Sequence, residues 1–197
     1  MAVPTRQQAV AILLDLHPSP RLLRHVCAVA DVAAFLAART VSQGRPADRR
    51  LVEAAALLHD VDKLFPPGDP RRAGGHGAAA ARWLTEQGWP ELAEPVAVHP
   101  VGRLLDHAGD VAAWLTAARP ESLMVAYADK RAAQHLEPMA SRFARWRRDH
   151  PDRDGSLGRA WDIGLELERH VCEAAGVTPT AVRRLRWAGR AIARGRR

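Results

Sequence analysis

Lysine is nearly missing from this 197-residue chain: of 29 basic side chains only Lys63 and Lys130 are lysines, and the other 27 are arginines. A GC-rich coding bias accounts for such a preference and draws attention to the two positions where lysine survives. Aromatic residues make up only 5%. The tryptophans Trp83, Trp89, Trp114, Trp146, Trp161 and Trp187 are dispersed, which suits packing anchors between helices. The two cysteines, Cys27 and Cys172, form no CxxC pattern; each sits in an apolar context and reads as a buried free thiol in a reducing cytoplasm. No apolar run approaches the roughly 18 residues of a membrane span. The segment 1–8 has no basic stretch followed by an apolar one, so no secretory signal is expected and the expected location is cytoplasmic.

Acidic residues are missing from one stretch. Residues 183–197 hold seven arginines and no acid, which accounts for the whole net charge of +7. The remaining 182 residues carry 22 basic and 22 acidic side chains, a neutral body. The high isoelectric point therefore describes a tail, partly amphipathic, that can touch nucleic acid or an anionic membrane surface, or can simply be a solvated helix end. The 47% of apolar residues is enough for a sizeable core.

Strand-type alternation is absent as well. Apolar residues recur at spacings of three and four and alanine is abundant, so the expected fold class is all-α. Helices are expected over about 5–16, 20–42 (Ser19 as N-cap, Pro20 at the first helical position), 47–63, 76–87, a short one between Pro90 and His99, 110–118, 121–135, 138–149, 156–175 and 180–193. Residues 65–75, rich in proline and glycine, read as a loop. The expected organisation is an N-terminal helix over 1–19, a principal domain over 20–150, and C-terminal helices with the basic tail over 151–197.

Several histidines stand where core residues normally would. His25 shares a helical stripe with Leu22, Val29, Val32 and Leu36. His59 and Asp60 end the apolar run 54–58, where an ionised carboxylate beside an imidazole is costly without compensation. A metal ion compensates both, since neutral imidazole and carboxylate are its ligands. A lone histidine of this kind is ordinarily a hydrogen-bonded core residue, and a His-Asp dipeptide alone says little. The signal lies in the set: His25, His59-Asp60, His76 after two glycines, His99 at a helix end, and Asp129 inside apolar 124–128.

The segments RLLRHVCAVA (21–30), AALLHDVDK (55–63), GGHGAA (74–79), VAVHP (96–100) and VAYADKR (125–131) resemble the HD-domain superfamily of metal-dependent phosphohydrolases, in its binuclear-metal branch. The resemblance spans about 20–150, and its most specific pieces are "LLHDVDK" and "AYADKR". It implies an all-α HD-domain helical bundle, here with a C-terminal helical extension. It also implies a first metal held by His25, His59, Asp60 and Asp129, with Asp60 bridging to a second held by His76 and His99. All six positions are filled. A shell of imidazole and carboxylate without thiolate suits two divalent ions from among Fe, Mn, Mg, Co and Ni rather than a structural zinc. Two metals about 3.5–4 Å apart would generate hydroxide near neutral pH for in-line attack on phosphorus.

Lys63 falls one helical turn beyond His59 and is expected, with Asp60, to be catalytic and to reach a bound phosphate, unless it is only a solvated lysine favoured by the helix dipole. Asp62 is either a general acid or base or a surface carboxylate. Lys130 either supports Asp129, faces water or binds substrate. Arg103 and Arg131 are phosphate clamps or structural ion-pair partners. His17, His107, His135, His150 and His170 are assigned no ligand role, although His107 competes with His99. The expected function is hydrolysis of a phosphoester or phosphoanhydride in a nucleotide or similar small phosphorylated metabolite; small bacterial HD hydrolases of dinucleoside polyphosphates suggest the first compounds to test. The competing expectations are an HD-fold mixed-valent di-iron oxygenase, and a nucleotide- or nucleic-acid-binding module that uses the basic tail.

Overall fold

A computed structural model describes residues 3–150 and 155–183. The basic tail beyond Arg183, and with it most of the helix expected over 180–193, lies outside the described residues. The described chain is all-α. Its ten helices are α1 (Arg6–Asp15), α2 (Pro20–Ser42), α3 (Arg49–Leu58), α4 (Ala78–Glu86), α5 (Ala93–Ala97), α6 (Val111–Ala117), α7 (Pro120–Arg131), α8 (Met139–Asp149), α9 (Ser156–Ala174) and α10 (Pro179–Arg183). Single 3₁₀ turns lie at Val61–Leu64, Pro70–Arg72 and Pro90–Leu92, and a longer 3₁₀ segment at Val101–His107. The only β-type pairing among the described residues is an isolated bridge between Ala132 and Leu136.

Local chemistry fixes the helix starts. Thr5 and Gln8 form a reciprocal capping box at α1, and Ser19 accepts from the Leu22 amide ahead of Pro20 at α2. Asp48 caps α3 through the Arg50 and Leu51 amides, and its own amide donates to Glu121 on α7. That last bond pins the start of α3 to the start of α7.

The core is built on α2, α3 and α7, which pack on one another in every pairing. The apolar stripe of α2 is buried from Val26 to Ala37. In α7 every residue from Glu121 to Arg131 is buried, so this helix is wrapped on all sides and carries no exposed polar face. Its charged residues survive there only through partners. On one side, α9 covers α7 and the 101–107 segment, and α10 follows it. Tyr127 donates to Glu168 at 2.7 Å, and Arg131 donates to both Tyr127 Oη and Glu168 at 2.7 Å. Arg131 also bonds the carbonyls of Glu137 and Pro179, so one guanidinium stitches α7 to α9 and to the start of α10. Burial pushes the Tyr127 phenol well above its ordinary range and keeps it a donor. Both cysteines are free thiols; Cys172 is buried and Cys27 half-buried.

Two helices end earlier than hydrophobic periodicity indicates. The helix expected to 63 stops at Leu58, and residues 61–64 form a 3₁₀ turn. The helix expected to 135 stops at Arg131, so His135 is not helical; the bridge from Ala132 to Leu136 and the bond from the Glu137 amide to the Arg131 carbonyl reverse the chain. Both early endings fall beside the residues that make up the site.

The Arg131–Glu168 contact is a buried pair, with Arg131 only 3% exposed. Glu168→Ala should therefore cost about 3–5 kcal/mol by leaving that guanidinium short of its anion. Urea unfolding followed by circular dichroism measures it; a loss under about 1 kcal/mol would show that the pair does not hold α9 to α7.

Candidate metal centre

The six residues expected as ligands come from five different places in the chain and meet at one point. His25 comes from α2, His59 caps the end of α3, and Asp60 follows it. His76 precedes α4, His99 follows α5, and Asp129 lies in the last turn of α7. His25 Nε2 is 3.2 Å from His59 Nε2, 3.3 Å from Asp129 Oδ1 and 3.4 Å from Asp60 Oδ2. On the other side, His76 Nε2 is 3.1 Å from His99 Nε2, and these two atoms are 3.4 and 3.6 Å from Asp60 Oδ1. Asp60 lies between the two halves: Oδ2 faces His25, while Oδ1 faces His76 and His99 and is also 3.5 Å from His59 Nε2. His59 and Asp60 are fully enclosed, whereas His76 is the most open of the imidazoles.

Each imidazole is held by its far nitrogen. His25 Nδ1 faces the Ala133 carbonyl at 2.9 Å, His59 Nδ1 the Ala56 carbonyl at 2.7 Å, and His99 Nδ1 the Val96 carbonyl at 2.6 Å. His76 Nδ1 is 2.9 Å from Asp62 Oδ2. A carbonyl or a carboxylate only accepts, so every Nδ1 is the protonated nitrogen and, in a neutral ring, every Nε2 presents a lone pair inward. The Nε2 atoms then stand 3.1–3.2 Å apart in pairs, lone pair to lone pair. Such pairs repel unless a proton or a cation lies between them. Asp60 Oδ1 is buried and receives no hydrogen bond, although Lys63 Nζ, which donates to Oδ2, is 2.8 Å from it. Bare imidazole nitrogens around an unsatisfied carboxylate oxygen fit a cation site, with fixed outer partners that aim the ligands inward. Three overlapping clusters have metal-ligating spacing: His25, His59 and Asp129; His59, Asp60 and His99; Asp60, Asp62 and His76.

The electrostatics agree with the geometry. Burial pushes the carboxyls of Asp60 and Asp129 up, but the surrounding imidazoles and cations outweigh it and hold both well below the ordinary range. Burial drives His59 down to about 3, keeping it neutral. His25 is also burdened by burial, yet hydrogen bonds to Asp129 and Asp60 raise it to about 9. Without a cation, then, His25 carries a proton that it shares with Asp129 and Asp60.

The early ends of α3 and α7 place these groups. After Leu58 the chain leaves the α-helix, and Asp60, at φ −106 and ψ 14, turns its carboxylate into the cluster instead of following the helix face. Beyond Arg131 the non-helical segment delivers the Ala133 carbonyl to His25. Gly77 has φ +82, and a Cβ there would sit 2.7 Å from the Pro100 ring. Glycine thus lets the His76 turn press against the His99-Pro100 turn, and its amide donates to Asp62 at 3.2 Å.

The remaining expected residues divide. Lys63 stands at the cluster, half-exposed and paired with Asp60. Lys130 does not face a substrate: it is fully buried and donates to the carbonyls of His99 at 2.8 Å and Ala126 at 3.0 Å, so it braces the turn that carries His99. Burial lowers its ammonium to about 8, against the pull of Asp129. Arg131 is likewise removed from the site, because all three of its nitrogens are consumed between α7, α9 and α10. Arg103 is exposed and paired with Asp106 on its own turn, away from the six. His107 stacks on Trp114 at 4.2 Å and does not compete with His99. Asp62 is buried rather than on the surface, where it orients His76.

One residue at the cluster was not anticipated. Arg142 on α8 places Nη2 3.4 Å from Asp129 Oδ1. It is one of four arginines in α8, with Arg145, Arg147 and Arg148. Nothing in the sequence distinguishes it, beyond its place next to the buried Phe143.

The HD domain family model matches residues 22–134 of this chain, a span that contains all six clustered residues. No curated protein and no solved structure matches it.

Cation binding at the cluster must displace the His25 proton, which the fold retains well above the ordinary value of 6.5, up to about 9. Affinity should therefore rise with pH up to about 9, near tenfold per unit for each proton released. Calorimetric titration with Mn²⁺ in buffers of different ionisation enthalpy measures that release. No proton release near neutral pH would mean that His25 is not a ligand.

Proposed function

The chain belongs to the HD-domain family, most of whose members are metal-dependent phosphohydrolases, and on that premise we propose that it hydrolyses a phosphoester or phosphoanhydride bond in a nucleotide or similar small phosphorylated metabolite. One observation carries this reading: four inward-facing Nε2 atoms surround two buried carboxylates, with Asp60 shared between the halves. In this reading His25, His59, Asp60 and Asp129 hold one divalent cation, and Asp60, His76 and His99 hold a second. Bound divalent ions supply Lewis acidity toward phosphoryl oxygens and lower the pKa of water.

The rest of the work falls to the chain itself. The carbonyls of Ala56, Val96 and Ala133, and the Asp62 carboxylate, keep the imidazoles in a single tautomer and orientation, so little reorganisation is needed as charge develops. Lys63 neutralises Asp60 in part and extends an ammonium to the mouth of the site, within reach of a phosphate. Burial of His59, Asp60 and His99 excludes bulk water from the floor. No helix among the described residues is long and apolar enough to cross a membrane.

His59→Ala and Asp60→Ala should each remove bound metal and lower phosphatase turnover by more than about 10³-fold, the scale set by loss of a main electrostatic element. Elemental analysis of the purified protein, then a screen of nucleotides and phosphomonoesters with Mn, Mg, Fe, Co and Ni, checks both. Undiminished hydrolysis by a metal-free variant, or oxygen uptake with no phosphate release by the wild type, would overturn the reading.

A further inference from the structure

The guanidinium of Arg142 is held far more loosely than its burial warrants. It is about one-seventh exposed, at 14%. Its Nη2 contact to Asp129 is 3.4 Å, the outer limit of a hydrogen bond. Its Nε is buried with no hydrogen-bond partner and lies 3.9 Å from Glu137, an ion already engaged by Arg145. Its Nη1 makes no hydrogen bond to any described residue. The plane lies over the Trp146 ring at 4.7 Å, which fixes where the fork points. Arg131, more deeply buried at 3% exposed, uses every nitrogen it has. Unspent donors on a part-buried cation, one of them the enclosed Nε, mark a place where a further acceptor belongs.

The charge around the cluster says what kind of acceptor. Once Asp129 gives its lone pairs to a cation, its weak hold on Arg142 weakens further, and the guanidinium faces like charge. Two divalent ions with Lys63 and Arg142 outweigh the carboxylates of Asp60, Asp62 and Asp129 by about three charges, with the imidazoles neutral. Lys130 beneath adds to that excess, and the Glu137–Arg145 pair cancels itself. With Lys130 counted the excess is about four: a diester monoanion offsets only a quarter of it, whereas a dianionic phosphoryl group offsets half.

We propose that Arg142 is a substrate-binding residue: from α8, beside Asp129, it takes a non-bridging phosphoryl oxygen, while Lys63 stands on the Asp60 side. The pair selects substrates that present a dianionic phosphate. This rests on the phosphohydrolase reading above and adds to it both a residue and a charge class.

The test uses the full-length, metal-loaded protein, with inorganic phosphate as the binding probe and p-nitrophenyl phosphate and bis(p-nitrophenyl) phosphate as reporters. Wild type should favour the monoester. Arg142→Gln should keep both metals by elemental analysis, weaken phosphate binding about ten- to a hundredfold, and raise KM for the monoester more than it lowers kcat. Arg142→Lys, which keeps the charge but loses the fork, should fall between the two and remains informative if the glutamine variant does not fold. Unchanged phosphate affinity in both variants would overturn the proposal. So would metal loss with unchanged phosphate affinity per bound metal, which would make Arg142 a positioning residue for Asp129. Preference for the diester would overturn the charge class. Failure of metal-loaded wild type to bind phosphate or hydrolyse any phosphate ester would instead sink the phosphohydrolase reading itself.

Discussion

Everything at the centre of this molecule is arranged around one buried anion, the carboxylate of Asp60. It touches the Nε2 atoms of His25, His59, His76 and His99 and the ammonium of Lys63, yet one of its oxygens accepts no hydrogen bond. An ionised carboxylate in the core destabilises a fold unless its charge is met. Here it is met by groups from α2, from the end of α3 and from the turns before α4 and after α5. The packing of those elements and the electrostatics of the site are therefore one problem with one solution.

The outer contacts show how the arrangement is made rigid. Backbone carbonyls anchor three of the imidazoles and a carboxylate anchors the fourth. Lys130 grips the carbonyl of His99 from below, and Asp62 joins His76 to Gly77. The two lysines that persist in an arginine-rich chain thus have different tasks. Lys63 meets the charge of Asp60 at the mouth, and Lys130 braces the backbone in the floor. A compact ammonium fits between two carbonyls where a planar guanidinium would not.

How much of this could be read from the chain alone depends on whether a signal is local. The all-α class and the Ser19-Pro20 start of α2 were legible because helical periodicity and capping are visible within a few positions; the six clustered residues stood out as a set through the resemblance of the segments that carry them, since His76 and His99 lie beside loops. The ends of α3 and α7 were not. Periodicity continues past Leu58 and past Arg131, and only tertiary demand, the need to turn Asp60 inward and to bring Ala133 to His25, stops the helices there. The partners of arginine were illegible for the same reason. Arg131 turns toward Glu168, 37 residues on, and Arg142 toward Asp129, 13 residues back across a non-helical segment. Neither pairing leaves a trace in spacing, so the guanidinium expected at the site belongs to the scaffold and one with no distinguishing signal lies at the site.

The anchors also differ in how far along the chain they reach. His59 and His99 are tethered to carbonyls three residues away, and His76 to a carboxylate fourteen away, whereas His25 is tethered to Ala133 across 108 residues. Closing so long a loop carries the largest entropy cost of the four. The half of the pocket around His76 and His99 draws its supports from nearer in the chain, the farthest being Lys130, 31 residues beyond His99, while the half around His25 is completed only when the two ends of the domain meet. A nascent chain cannot finish this pocket until the residues after α7 have been synthesised, which ties the convergence of all six side chains to completion of the domain.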